Sequence, residues 1–119
     1  MAATLQELLG RSSADYTKQL VEVLGAPLVA VLGGAKDTRS VRNWATGNGP
    51  REDKVRRLRA AVQVVEVLQL RFEADMIRAW FTGMNPDLED QSPLLILADE
   101  DDRRFQPVLL AARRFAAEK

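Results

Sequence analysis

KDTRSVRNWATG, residues 36–47, has the form of a short basic helix held down by two apolar side chains. Asp37 or Thr38 can cap its start, because their side-chain oxygens reach backbone N–H groups that the first turn leaves unpaired. Val41 and Trp44 are three apart, so they share one helical face and can be buried together. Arg39, Ser40, Arg42 and Asn43 remain on the other faces. Gly47 and Gly49 supply the break, since glycine accepts the left-handed conformation that ends helices. An exposed helix of this kind, anchored from below and polar above, is what DNA recognition requires.

Immediately upstream, Pro27 can open a helix without needing a backbone donor. Residues 28–32, LVAVL, follow with no polar side chain, and Gly33 and Gly34 end the run. A helix without a polar face is buried all round or covered by a partner. Helix, glycine-containing turn and second helix together have the form of a helix-turn-helix; a helical hairpin in a small bundle is the alternative. The turn at 33–36 is about one residue longer than the common form. Residues 28–32 also offer no polar group to a phosphate.

Working outward, Leu5, Leu8 and Leu9 make a weak amphipathic stretch in 1–10. Ser12 or Ser13 can cap a helix running to about Leu24, with Tyr16, Leu20, Val23 and Leu24 as its apolar stripe and Gly25 closing it. After the loop at 48–50, a long helix is expected from Glu52 or Asp53 to about Phe72. Val55, Leu58, Val62, Val65, Leu68 and Phe72 recur there at three- and four-residue steps. A further helix covers 73–82, with Met76, Ile77, Trp80 and Phe81 as its contacts. Asn85-Pro86 forces a turn, because the residue before proline is pushed out of the helical region. Ser92-Pro93 starts a short apolar helix. Acidic residues 99–102 then precede a last helix, where they favour the positive end of its dipole. Phe105, Val108, Leu109, Ala112 and Phe115 mark that helix's apolar face.

No segment alternates with period two. The chain is therefore expected to be all-α, with about seven helices counting the weak first one. A helix-turn-helix half, 1–50, would be followed by a small helical half, 51–119. The 47–50 loop is the boundary, and the long helix after it can belong to either side.

Composition narrows the function. The chain has 119 residues, 46% of them apolar, enough for a core. No apolar run is long enough to span a bilayer or serve as a secretory signal. Cysteine and histidine are both absent, which removes disulfides, thiolate metal sites, the usual general base and every Ser–His or Cys–His pair. Neither an enzyme nor a metal or cofactor site is expected. The missing cysteines suit a reducing compartment, and a cytoplasmic protein is expected.

The formal net charge of +0 hides an asymmetry. Residues 36–59 hold eight basic side chains against three acidic ones, a local +5, and the remainder carries −5. Asp87, Glu89, Asp90 and 99–102 supply much of the negative charge. One surface facing a polyanion and a second with another task would explain this; solvated charge is the plainer alternative.

TRSVRNW, then ATGNGP, a long helix and AWFTGMNPDLEDQSPLLIL follow one another in this chain. In this order they resemble the Xre/MbcA/ParS-like antitoxins, partners of RES-domain toxins, from about Leu20 to the end. Val41, Trp44, Gly47 and Pro50 carry the likeness in the first half. Trp80, Asn85, Pro86, Leu88, Pro93 and Leu97 carry it, more specifically, in the second. The resemblance implies a helix-turn-helix that can bind its own operator and a C-terminal half that caps the cleft of an NAD-consuming toxin. It makes Leu109, Arg113, Arg114 and Lys119 candidates for toxin contact. Trp80, Asn85, Pro86 and Pro93 would be structural, like Val41 and Trp44.

On the DNA side, Arg39 and Arg42 can reach guanine edges or phosphates and Asn43 can pair with adenine. Thr38 and Ser40 lie on the same helix. Lys36, Arg51, Lys54 and Arg57 would meet phosphates, which position without specifying. One short helix rarely binds duplex DNA tightly, so a homodimer reading two half-sites is expected. Residues 28–32 or the long helix would supply its contact. A stand-alone helix-turn-helix regulator and a protein-interaction module without DNA binding are the alternatives.

Overall fold

Apolar residues at helical spacing, punctuated by glycine and proline, give a chain of short helices. The computed structural model describes residues 12–99 and 101–118. Seven α-helices follow in order there: α1 Ser13–Leu24, α2 Ala26–Gly33, α3 Thr38–Ala45, α4 Glu52–Gln69, α5 Ala74–Thr82, α6 Pro93–Ala98 and α7 Phe105–Glu118. Two 3₁₀ turns, Pro86–Leu88 and Asp102–Arg104, precede α6 and α7. The expected all-α class holds among the described residues. The weak helix read at 1–10 lies outside them, as does Lys119.

The caps are largely those the residue types favour. Ser12, rather than Ser13, caps α1: its hydroxyl accepts from the Asp15 N–H at 3.2 Å, and the Asp15 carboxylate accepts from the Ser12 N–H at 3.0 Å. Pro27 sits in the first turn of α2. Gly34 closes α2 in the left-handed region at φ 70°, where the Ala35 N–H donates to the Ala30 carbonyl at 2.8 Å. The Ser92 hydroxyl accepts from the Leu95 N–H at 3.2 Å at the start of α6.

One core joins all seven helices. Leu20 of α1, Leu32 of α2, Leu58 and Leu68 of α4, Ile77 and Phe81 of α5 and Leu97 of α6 are fully buried. Burial of each such side chain contributes about 1.5–3 kcal/mol. Helix α4 packs most extensively on α1 and α7, so the core runs straight through the position of the 47–50 loop. Between helices, the Arg78 guanidinium of α5 donates to the Val23 carbonyl at 3.0 Å near the end of α1, and Gln19 donates to Glu66 at 3.1 Å.

One expectation is corrected. The long helix stops at Gln69, three residues short of Phe72. The N–H groups of Leu70 and Arg71 turn to the carbonyls of Val67 and Leu68, tightening the last turn; the Phe72 N–H still donates to the Leu68 carbonyl at 2.9 Å, and its ring stacks on Phe115 of α7 at 4.8 Å. The apolar periodicity that pointed to Phe72 was reporting this tertiary contact. Of the two readings of α2, burial all round does not hold: Val29, Ala30 and Leu32 are buried, whereas Pro27 and Val31 face solvent.

Helix α3 is seated on α1 and α2, and its seat depends on a missing side chain. A Cβ at Gly33 would overlap Cη2 and Cζ3 of the Trp44 indole. Gly33→Ala is therefore expected to destabilise the fold by about 1–3 kcal/mol, the range for overpacking. Urea unfolding measures it, and an unchanged midpoint at unchanged slope would contradict the close approach.

Candidate nucleic-acid interface

Asp37, not Thr38, caps α3. One carboxylate oxygen accepts from the N–H groups of Arg39 at 3.1 Å and Ser40 at 3.3 Å, while Asp37 itself is extended. At the far end the Asn48 N–H donates to the Asn43 carbonyl at 3.0 Å, with Gly47 at φ 108° making the reversal. The Thr46 hydroxyl donates to the same carbonyl at 3.0 Å. The helix is thus closed at both ends by its own sequence.

Between these caps the faces separate cleanly. Val41 and Trp44 are 1% and 8% exposed. Arg39, Arg42, Asn43 and Thr46 are all exposed, and their spacing of three, one and three puts them on one side of the helix. Thr38 and Ser40 are half-buried at the margins. A row of two guanidiniums and a carboxamide open to solvent can donate to phosphates and to base edges.

The flanking cations divide. Lys36 in the α2–α3 turn and Arg51 before α4 are exposed, with Arg51 3.9 Å from Asp53. Lys54 is half-buried. Arg57 is 5% exposed, which corrects its placement on an open basic face. It lies one turn beyond Lys54 on the side of α4 that meets α2, where its guanidinium is withdrawn from solvent. Arg56 and Arg59, the exposed cations of α4, lie on its other side, and Arg59 stands 5.8 Å over the Tyr16 ring.

The candidates for partner contact on α7 also separate. Leu109 and Arg113 line an open groove of about 430 Å³ between α4 and α7, together with Val67 and Leu70. Arg114 instead faces a cleft of about 390 Å³ lined by Trp80, Met84, Pro86 and Phe115. It is 3.5 Å from Asp87 and 3.3 Å from Glu118; exposed pairs of this kind contribute about 0–1 kcal/mol.

Asn85 shapes the turn beneath that cleft. Its side chain accepts from the Asp87 N–H at 2.9 Å, and its backbone bridges to Gln91. Pro86 opens the 3₁₀ turn, Leu88 buries beneath it, and Glu89 and Asp90 both adopt positive φ. Trp80 and Pro93 are buried.

Two acids of the run before α7, Asp99 and Asp101, meet arginines that follow them. Asp101 accepts from Arg103 and Asp99 from Arg104. The hydrogen bond from the Arg103 side chain holds the Asp101 carboxyl below its ordinary range. Leu70, Met84 and Leu110 are large, apolar and exposed. Leu70 was given no role by sequence; it breaks the polar side of an otherwise amphipathic pattern, and that was its only signal.

Among the described residues no group of three carboxylates is arranged to hold a metal, and no helix is long and apolar enough to cross a membrane. Compared with protein-family models, with curated proteins and with solved structures, the chain finds no match.

The cap is the most local determinant of the interface. Asp37→Ala is expected to cost about 1 kcal/mol in stability, as loss of an N-cap does. Amide exchange in the first turn of α3 should rise with it. Unaltered exchange there would show that tertiary contacts alone hold the helix.

Proposed function

We propose that the protein is a helix-turn-helix regulator similar to the Xre-type antitoxins, with duplex DNA as the partner of α3 and a RES-domain toxin as the partner of its C-terminal half. The observation that carries the DNA part is the division of α3. Val41 and Trp44 are buried while Arg39, Arg42 and Asn43 stand together in solvent. Helix α3 enters the major groove, Arg39 and Arg42 meet guanine edges or phosphates, and Asn43 meets adenine. Lys36 and Arg51 add phosphate contacts, for which their exposure suits them. A homodimer brings two such helices to two half-sites, and exposed Val31 on α2 is available for the contact between copies.

The toxin part rests on the resemblance of the Trp80, Asn85-Pro86, Leu88, Pro93 and Leu97 pattern. On that reading α7 approaches the toxin's cleft through Leu109, Arg113 and Arg114, with exposed Leu110 beside them. Occlusion of the cleft is the mechanism, and the antitoxin itself needs no catalytic group or cofactor. The protein acts in the cytoplasm, where operator and toxin are both found. A second reading, a protein-interaction module without DNA binding, is favoured by one observation: Leu70, Met84 and Leu110 are all solvent-exposed on or beside the C-terminal helices.

Two measurements separate the readings. The first is retention of the duplex upstream of the protein's own gene at low and moderate salt. Arg39→Ala with Arg42→Ala is expected to weaken retention by at least about tenfold, since each good base contact is worth roughly 1–3 kcal/mol. Absence of retention at low salt would remove the DNA part. The second is co-purification with a RES-type protein encoded alongside. Arg113→Glu is expected to weaken that complex while leaving DNA retention intact. A RES-type neighbour that never co-purifies would remove the toxin part.

A further inference from the structure

Of the cations of α4, Lys54 is half-buried and Arg57 is buried, whereas Arg56 and Arg59 are exposed. Lys54 and Arg57 converge on the turn between α2 and α3. A Cβ built on Gly34 would lie 3.3 Å from Lys54 Nζ, 3.6 Å from Lys54 Cε and 3.8 Å from Arg57 Nη1. The two side chains therefore lie alongside residue 34, which is itself exposed and held in the left-handed region at φ 70°.

The place they flank is the C-terminal end of α2. A helix end of this sense carries partial negative charge on its last carbonyls, and cations there are stabilising. Helix α2 has no basic residue in its own last turn. Its carbonyls at Ala30 and Val31 accept from Ala35 and Gly34 at 2.8 and 3.2 Å, while the helix end as a whole retains its negative sense. Helix α4 supplies from outside the charge that α2 lacks. Arg57, 5% exposed, does so from a position where solvent screening is weak.

We infer that Lys54 and Arg57 are positioning residues: as a pair of cations on α4 they clamp the α2–α3 turn and thereby set how α3 is presented. Helix α3 is seated on α1 and α2, and α4 packs on those same two helices. The turn is where α4 acts on the start of α3. Arg57 thus serves the surface without belonging to it. The functional consequence, loss of DNA affinity when the clamp is removed, rests on the reading of α3 as a DNA-binding helix; the clamp itself does not.

The test is amide hydrogen exchange on the DNA-free full chain, in Lys54→Met, Arg57→Met and Arg57→Lys. Exchange at Gly34, Ala35 and the first turn of α3 is expected to rise roughly tenfold in Arg57→Met, the scale of a cation at a partly buried helix end. A smaller rise is expected in Lys54→Met. Arg57→Lys, which keeps a cation there, should restore most of the protection. Exchange in α5 and α7 should stay at the wild-type level in all three, which a general loss of stability would not produce. Should Arg57→Met fail to fold, Lys54→Met and Arg57→Lys carry the comparison. Unchanged turn exchange in Lys54→Met and Arg57→Met, or in Lys54→Met alone should Arg57→Met not fold, overturns the inference, as does an equal rise throughout the molecule. A wild-type protein that does not retain DNA removes the DNA reading, and the exchange result still decides the clamp.

Discussion

The six-membered ring of the Trp44 indole occupies the space that a side chain at residue 33 would take. Gly33, the last residue of α2, lets an aromatic plane rest against bare backbone, which fixes how closely α3 approaches α2. Val41 completes the seat one turn earlier. An eight-residue helix has little intrinsic stability in water, so its existence depends on this contact and on the Asp37 cap. Everything proposed for the exposed face of α3 follows from burying the opposite one.

Charge is arranged around that seat in two grades. Arg39, Arg42, Lys36 and Arg51 are in solvent and can exchange their counterions for phosphates. Lys54 and Arg57 are drawn in against the end of α2. The acidic half of the chain behaves differently. Asp99, Asp101 and Asp87 are each met by an arginine nearby in space.

Much of this was legible in the residue order. Ser12, Pro27, Gly34, Gly47, Ser92 and Pro93 act locally, through caps and fixed dihedrals, so their roles could be read without knowing the fold. The Val41–Trp44 pair was equally plain because helical spacing leaves them only one common face. What could not be read depended on neighbours far along the chain. Phe72 kept the helical period but lies past the helix end and stacks on Phe115. Arg57 had the look of one more surface cation until α2 came down beside it. Val31 matched its buried neighbours in type, yet it stays exposed. In the site, spacing left Arg39, Ser40, Arg42 and Asn43 off the buried face without ranking them; the structure leaves Arg39, Arg42 and Asn43 exposed and Ser40 half-buried. The separation of Arg113 and Arg114 into different grooves depends on where α4 and α5 flank α7.

The central claim is that the polar face of α3 is a nucleic-acid surface. Backbone amide shifts of the full-length protein, followed as a short duplex from its own upstream region is added at low salt, test it most directly. The account predicts that the largest changes fall at residues 36–46 and around Arg51, fade as salt is raised, and leave α5 and α7 unmoved. Changes confined to α5, α6 or α7, or none at any salt, would contradict it.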